Sequence, residues 1–244
     1  MSFLRSSGIL LHPTSLPGPY GIGELGPEAH RFADFLKDAG QHIWQLLPLG
    51  PTGYGDSPYQ CFSAFAGNPL LLSLDSLVKQ GYLSQDDLDT RPKMPRESVD
   101  FGTLIKWKIP LLRKAAAGFQ VSATATDHDA YEVFCQRHAA WLDEFALFMA
   151  LKEVHDYVMW TLWGPELALR EPAAIEKARL DLNQKIECNK FIQFEFDQQW
   201  SDLKAHCERN GIRVMGDVPI YVAQDSSDVW AAPEMFDQIG RAHV

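Results

Sequence analysis

The apolar positions of the first 75 residues fall into two short runs separated by one amphipathic stripe. Gly8–Leu11 reads as a brief buried strand, and Ile43–Leu47, ended by Pro48, reads as a second. Between them Pro27 opens a helix at its first position, Ala29, Phe32, Ala33 and Leu36 form one face at helical spacing, and Gly40 stops it. Two apolar strands joined by a helix predict a βαβ unit and hence a parallel sheet. From Asp75 to Asn210 the period turns helical. Asp75 is placed to cap Ser76–Gln80 before Gly81, and Ser84 with Asp87 has the spacing of a capping box. Leu104, Ile105, Lys108, Leu111 and Leu112 predict a helix that Pro110 should kink or break. Leu142, Phe145, Ala146 and Met149 mark a strong helix running to about Asp156, and Phe191, Phe194, Trp200 and Leu203 mark another closed by Asn210 and Gly211. Ile212–Asp217 then reads as a third parallel strand ending in a glycine and a carboxylate.

Two segments stand out from this alternation. Residues 12–27 form a Pro/Gly-rich loop after the first strand, and residues 48–69 form a longer one after the second. The latter holds Pro48, Pro51, Pro58 and Pro69 with Gly50, Gly53, Gly55 and Gly67, and it carries Tyr54, Tyr59, Phe62 and Phe65. A loop of that length inside a domain is commonly functional. The apolar stripes of the helical stretch read as core.

Composition narrows the classes. The chain has 244 residues, 46% of them hydrophobic, with a formal net charge of −10. That suits an ordered enzyme acting on a neutral substrate and argues against nucleic acid or an anionic membrane as a main partner. No run approaches the roughly 20 apolar residues of a membrane span, and the apolar run near the start is too short for a signal sequence. Cys61, Cys135, Cys188 and Cys207 show no C-x-x-C pairing, which predicts reduced thiols in a cytoplasm. Cys207 beside His206, and Cys135 three before His138, are each half a metal site at most. No phosphate loop is present: Gly21, Gly23 and Gly26 do not open a helix with the needed spacing.

Three segments resemble the amylomaltases, the disproportionating enzymes of glycoside hydrolase family 77. They are Gly8–Gly26 (GILLHPTSLPGPYGIGELG), Trp44–Gln60 (WQLLPLGPTGYGDSPYQ) continued by Ser63–Pro69 (SAFAGNP), and Gly211–Ala223 (GIRVMGDVPIYVA) with Asp225–Trp230 (DSSDVW). Trp141–Lys152 is a weaker match, and the likeness runs from about Ser7 to Trp230. The resemblance implies an α/β fold: the N-terminal portion of a (β/α)8 TIM barrel with a large helical insertion between strands 2 and 3. Residues 1–74 would be the first two β/α units, 75–210 the insertion, and 211–238 the third strand and its loop. It also implies transfer of α-1,4-glucan segments between maltodextrins through a covalent, retaining mechanism, with no cofactor and no metal.

Under the same resemblance Tyr59 matches an active-site tyrosine within the Gly55–Tyr59 loop, Tyr54 matches a tyrosine of a second glucan-binding site, and Asp56, Ser57 and Trp44 join the expected substrate contacts. Asp217 matches a supporting carboxylate at the end of the third strand. The nucleophilic aspartate and acid/base glutamate of the family are expected on later strands, beyond this chain, which alone would be inactive. Three strands of eight cannot close a barrel, so unpaired edges and apolar faces are expected to be exposed. Ile239–Val244 does not resemble the family. It back-translates as ATC GGA AGA GCA CAC GTC, like a sequencing-library adapter, and is expected to be a non-native tail. The alternative reading is a non-catalytic glucan-binding or vestigial protein.

Overall fold

The parallel sheet expected from the two apolar runs is present and gains its third strand where the sequence placed it. The computed structural model describes residues 5–218 and 221–236, so the terminal segment 239–244 lies outside the described residues. Strands β1 (Gly8–Leu10), β2 (Ile43–Gln45) and β3 (Arg213–Met215) are parallel in the order β1-β2-β3, with Ile9, Trp44 and Val214 in line across the sheet. The ladder is extended by Leu11 N donating to the Gln45 carbonyl at 3.0 Å and Leu46 N donating to that of Met215 at 2.9 Å. The best shielded position is the middle of the central strand: Trp44 has no exposed surface, whereas its neighbours Ile43 and Gln45 are half-buried and Leu10 and Met215 on the outer strands are 53% and 48% exposed.

Helix α1 (Pro27–Asp38) follows the expected start and stop, with Pro27 in the first turn and Gly40 at φ +66°. Its buried stripe of Ala29, Ala33 and Leu36 packs into the main core beside Trp44. Between β2 and β3 the chain is helical. Helix α2 (Leu74–Lys79) and α3 (Gln85–Asp89) come first, and the Ser84–Asp87 capping box forms with both reciprocal bonds. The expected cap at Asp75 is corrected: Ser73 is the N-cap residue, and Asp75, inside the first turn, instead accepts a hydrogen bond from the Tyr20 hydroxyl at 2.5 Å.

Helix α4 (Phe101–Ser122) continues unbroken through Pro110, where a kink or break was expected. Pro110 is exposed, while Leu104 and Lys108 before it and Leu111, Leu112 and Ala115 after it are buried on one side. Burial on both flanks outweighs the local preference of one proline. The buried Lys108 ammonium is met by the Glu24 carboxylate and the Leu70 carbonyl at 2.8 Å, tying the first loop to the helix. Helix α5 (Ala125–Val154) is longer than its apolar stripe suggested, because Thr124 and Asp127 form a second capping box upstream. Helices α6 (Pro165–Ala168) and α7 (Pro172–Asp181) precede α8 (Asn183–Arg209), which packs along α5 and α1 and returns the chain to β3. A short α9 (Ser227–Ala231) follows.

Two cores result. In the larger, Phe119 is surrounded by Phe191, Tyr131, Tyr82 and Phe194, with ring centroids between 5.1 and 6.1 Å. In the smaller, Phe148, Trp163 and Trp230 contact one another at 5.6–5.8 Å, and the Trp230 indole donates to the Leu167 carbonyl at 3.0 Å. The segment after β3 is thereby seated on the helical region. Lys152, fully buried, reinforces this by donating to the Tyr157 and Val158 carbonyls and to Asp225 at 2.7 Å. Among the described residues no helix is long and apolar enough to cross a membrane.

One buried acid has no cation beside it. Glu195 of α8 has no exposed surface, and its hydrogen-bond partners are the carboxamides of Gln80, at 3.3 Å, and Gln199. Burial pushes its pKa up to about 7, with those carboxamide bonds offsetting only part of the rise. A raised carboxyl pKa means the folded state holds the proton longer than the unfolded one. Its contribution is therefore present in full below about pH 4.5 and lost as pH rises through about 7. Glu195→Gln should flatten the fall in stability across that window and raise stability near pH 8 by about 2–3 kcal/mol. Urea unfolding of both forms at pH 5 and pH 8 reads this out, and an unchanged pH slope would refute it.

Candidate functional site

The loop 48–69 that follows β2 folds as a clamped hairpin. Thr52 and Cys61 make an antiparallel bridge, Gly53 N donates to the Gln60 carbonyl at 2.8 Å, and Phe62 N donates to that of Pro51 at 2.9 Å. Its tip turns through Gly55 and Asp56, whose φ values of +77° and +53° are both left-handed. Glycine adopts that conformation freely and aspartate tolerates it better than most residues. The turn closes through Gln60 N to the Ser57 carbonyl at 3.0 Å, and the Ser57 hydroxyl accepts from Tyr59 N at 3.3 Å. The Cys61 thiol donates to the Pro58 carbonyl at 3.0 Å, and burial pushes its pKa up to about 11. It is therefore a packing group, not a nucleophile.

The base of the loop is fixed from the helical side. The buried Gln193 carboxamide of α8 reaches Gly67 twice, accepting from its N–H at 2.7 Å and donating to its carbonyl at 3.0 Å. Ala64 N donates to the Asp228 carboxylate at 2.9 Å, and Ser227 N donates to the Phe62 carbonyl at 2.8 Å. The loop is thus held by α8 on one side and by α9 on the other.

This clamping brings Tyr59 to Asp217. The phenol donates to the Asp217 carboxylate at 2.7 Å, while the other carboxylate oxygen accepts from Val218 N at 2.9 Å. Accepting the phenol proton, Asp217 holds the Tyr59 pKa above its ordinary value. The ring is 46% exposed, so an aromatic face and an anionic acceptor lie together at the carboxyl edge of the sheet. His12, which leaves β1 at the same edge, was not singled out from the sequence. Its Nδ1 accepts from Thr14 N at 3.3 Å, leaving Nε2 to donate to the Pro48 carbonyl, also at 3.3 Å. Burial lowers its pKa, and the neutral ring cross-ties the first two strand tips. Its position directly after a strand was the available signal.

The remaining expected contacts separate. Ser57 supports Tyr59 through the backbone, and Asp56 forms the left-handed turn beneath it. The expectation that Trp44 contacts substrate is corrected. Its indole is wholly buried, edge-on to Phe32 at 4.9 Å, and donates to the Leu11 carbonyl at 2.8 Å. A large aromatic on the middle strand of a helix-covered sheet fills the core. The side chain of Tyr54 lies outside the described residues. His206 is occupied by Asp34 at 2.7 Å, and His138 by the Trp141 indole at 3.3 Å. Among the described residues, no group of three or more metal-ligating side chains converges.

Comparison with known proteins gives this geometry its context. The family model for 4-alpha-glucanotransferases, Glyco_hydro_77, matches residues 11–242. The chain is 50% identical to a 4-alpha-glucanotransferase of Thermus thermophilus over all of its own length and 48% of that protein. It is 46% identical to one from Synechocystis over 95% of its length and 46% of that protein. Its fold matches an amylomaltase from Streptococcus agalactiae, solved in complex with acarbose, with a TM-score of 0.90 and 40% identity, covering 96% of this chain and 48% of that one. The chain therefore spans about half the length of the relatives it matches.

Two outcomes test the site's construction. Gln193→Leu should cost about 1–3 kcal/mol in chemical denaturation, because it strands both backbone groups of Gly67 without a partner. Asp217→Ala should bring the Tyr59 pKa down towards the ordinary phenol value without changing the melting temperature. Absorbance titration at alkaline pH, differenced against Tyr59→Phe, measures it, and an unmoved Tyr59 transition would show that the pair is not formed in solution.

Proposed function

The chain belongs to the 4-alpha-glucanotransferase family, and from that premise we propose that the protein in its full-length form moves α-1,4-glucan segments from one maltodextrin to another. The Tyr59–Asp217 pair is the observation that carries the proposal for this chain's own residues. A glucose ring offers C–H faces that stack on an aromatic ring and hydroxyls that seek a charged acceptor. Tyr59 supplies the first and the carboxylate of Asp217 the second. The acarbose held by the Streptococcus agalactiae amylomaltase supports an oligosaccharide as ligand. The net charge of −10 suits a neutral sugar.

In this reading β1, β2 and β3 are the first three strands of a (β/α)8 barrel, and the helices from α2 to α8 are an insertion between the second and third. Active sites of such barrels lie at the carboxyl ends of the strands, where Tyr59 and Asp217 meet and where His12 leaves β1. Retaining transfer needs two carboxyl groups about 5 Å apart, one forming a glycosyl ester and the other moving the proton. Those two belong, by family resemblance, to later strands. Asp217 acts beside them by holding hydroxyls of the reacting sugar, and Tyr59 walls the bound chain from water so that a sugar acceptor, not water, takes the glycosyl group. Four unpaired thiols suit a reducing compartment such as the cytoplasm.

A second reading follows from the chain's coverage of about half of its relatives: these 244 residues alone bind glucan without transferring it. Incubation with maltotriose separates the two. The full-length protein should yield glucose and longer oligomers, and Tyr59→Ala or Asp217→Ala within it should lower kcat/KM by roughly one to two orders of magnitude. The present chain should yield nothing. Turnover by the present chain would overturn the placement of the acid pair, and inactivity of the full-length protein would overturn the reaction.

A further inference from the structure

We propose that the cleft of about 410 Å³ between the 48–69 loop and helices α5 and α8 binds a further glucose unit of the chain that Tyr59 and Asp217 engage, an inference that rests on the glucan reading above. Its volume lies within the range of small-ligand sites. Asp217 lines it, so it is continuous with the strand-tip pair.

The lining has the mixed chemistry a sugar requires. Phe65, 66% exposed on the loop, stacks against Trp141 of α5 with ring centroids 6.2 Å apart and planes at 22°. Trp200 of α8, half-buried, adds a third ring. Rings alone would fit any apolar guest, but two polar groups accompany them with hydrogen-bonding capacity left over among the described residues. His138 Nδ1 accepts the Trp141 indole proton at 3.3 Å, so the ring proton sits on Nε2, which has no acceptor among the described residues. The Asp197 carboxylate, on the same wall, has neither a hydrogen-bond nor an ion-pair partner among the described residues. A donor and an anionic acceptor beside stacked aromatic rings match hydroxyl edges and C–H faces of a pyranose. The carboxylate disfavours an anionic guest, and a purely hydrocarbon guest would bury it unpaired.

The test uses this chain, with maltose, maltotriose and maltoheptaose as probes, followed by calorimetry and tryptophan fluorescence. Phe65→Ala and Asp197→Ala remove an exposed ring and an unpartnered carboxylate, so neither disturbs the core, and circular dichroism verifies the fold. Maltoheptaose should bind the parent chain and bind each variant about five- to tenfold more weakly, with a smaller change for maltose. Binding that Tyr59→Ala weakens but Phe65→Ala and Asp197→Ala leave intact would overturn the cleft and keep the glucan reading. No binding of any probe would overturn the cleft as well, while the transfer assay on the full-length protein judges the reaction independently. A chain that sediments as a dimer dissociated by Phe65→Ala would assign the cleft to a second copy and overturn the proposal.

Discussion

The burial of one indole organises this chain. Trp44 sits on the middle strand, wholly inside, and its Nε1–H is satisfied by the Leu11 carbonyl just past the end of β1. That bond joins two neighbouring strands off the ladder, and the ring fills the space under α1 against Phe32. Side chains alternate faces with a period of two, so a slip of one residue would expel the indole from the core and leave its N–H unpaired. Register follows, with Ile9, Trp44 and Val214 aligned. Once register is fixed, the three strands end at one edge, and His12, the 48–69 loop and Asp217 emerge together.

A sheet edge alone does not place a loop tip to within a hydrogen bond. The 48–69 loop is long, and most of its tip is solvated. Its positioning comes from groups more than a hundred residues away: Gln193 grips Gly67 from α8, and Asp228 and Ser227 grip Ala64 and Phe62 from the segment after β3. These are contacts to backbone N–H and C=O groups that lie outside the loop's own hairpin bonds and would otherwise lack a protein partner. The helical region thus contributes to the site although it supplies neither Tyr59 nor Asp217. Lys152, by fixing Asp225, holds the α9 side of the clamp in place.

Much of this was legible in the residues, and the failures have physical reasons. The strands, α1 with its Pro27 start and Gly40 stop, and the Ser84 capping box are local signals, and each appears where the pattern put it. Pro110 misled because the buried neighbours on both flanks, Lys108 with Glu24 among them, lie in tertiary structure that no window of sequence contains. Asp75 misled because its carboxylate is taken by Tyr20, 55 residues away. Trp44 misled because an aromatic beside a functional loop reads the same whether it faces inward or outward; only the sheet's covering by α1 decides. The Tyr59–Asp217 contact spans 158 residues. Both residues were singled out as belonging to one site, yet nothing in their spacing announced the bond.

The division of aromatic residues between core and surface explains why a protein with well-filled cores still leaves rings in the open. Phe119, Phe148, Phe191 and Trp230 are almost wholly enclosed, so the cores do not lack apolar volume. Tyr59 and Phe65, by contrast, stand on a loop anchored by polar bonds to its backbone and by Phe62 packed on Phe148, and withdrawing them into the interior would break those anchors. An exposed ring on a fixed backbone carries little conformational entropy to lose when a flat ligand face arrives. The loop therefore combines two properties seldom found together, exposure and a position tied from two sides. It owes the second to the helices packed behind it.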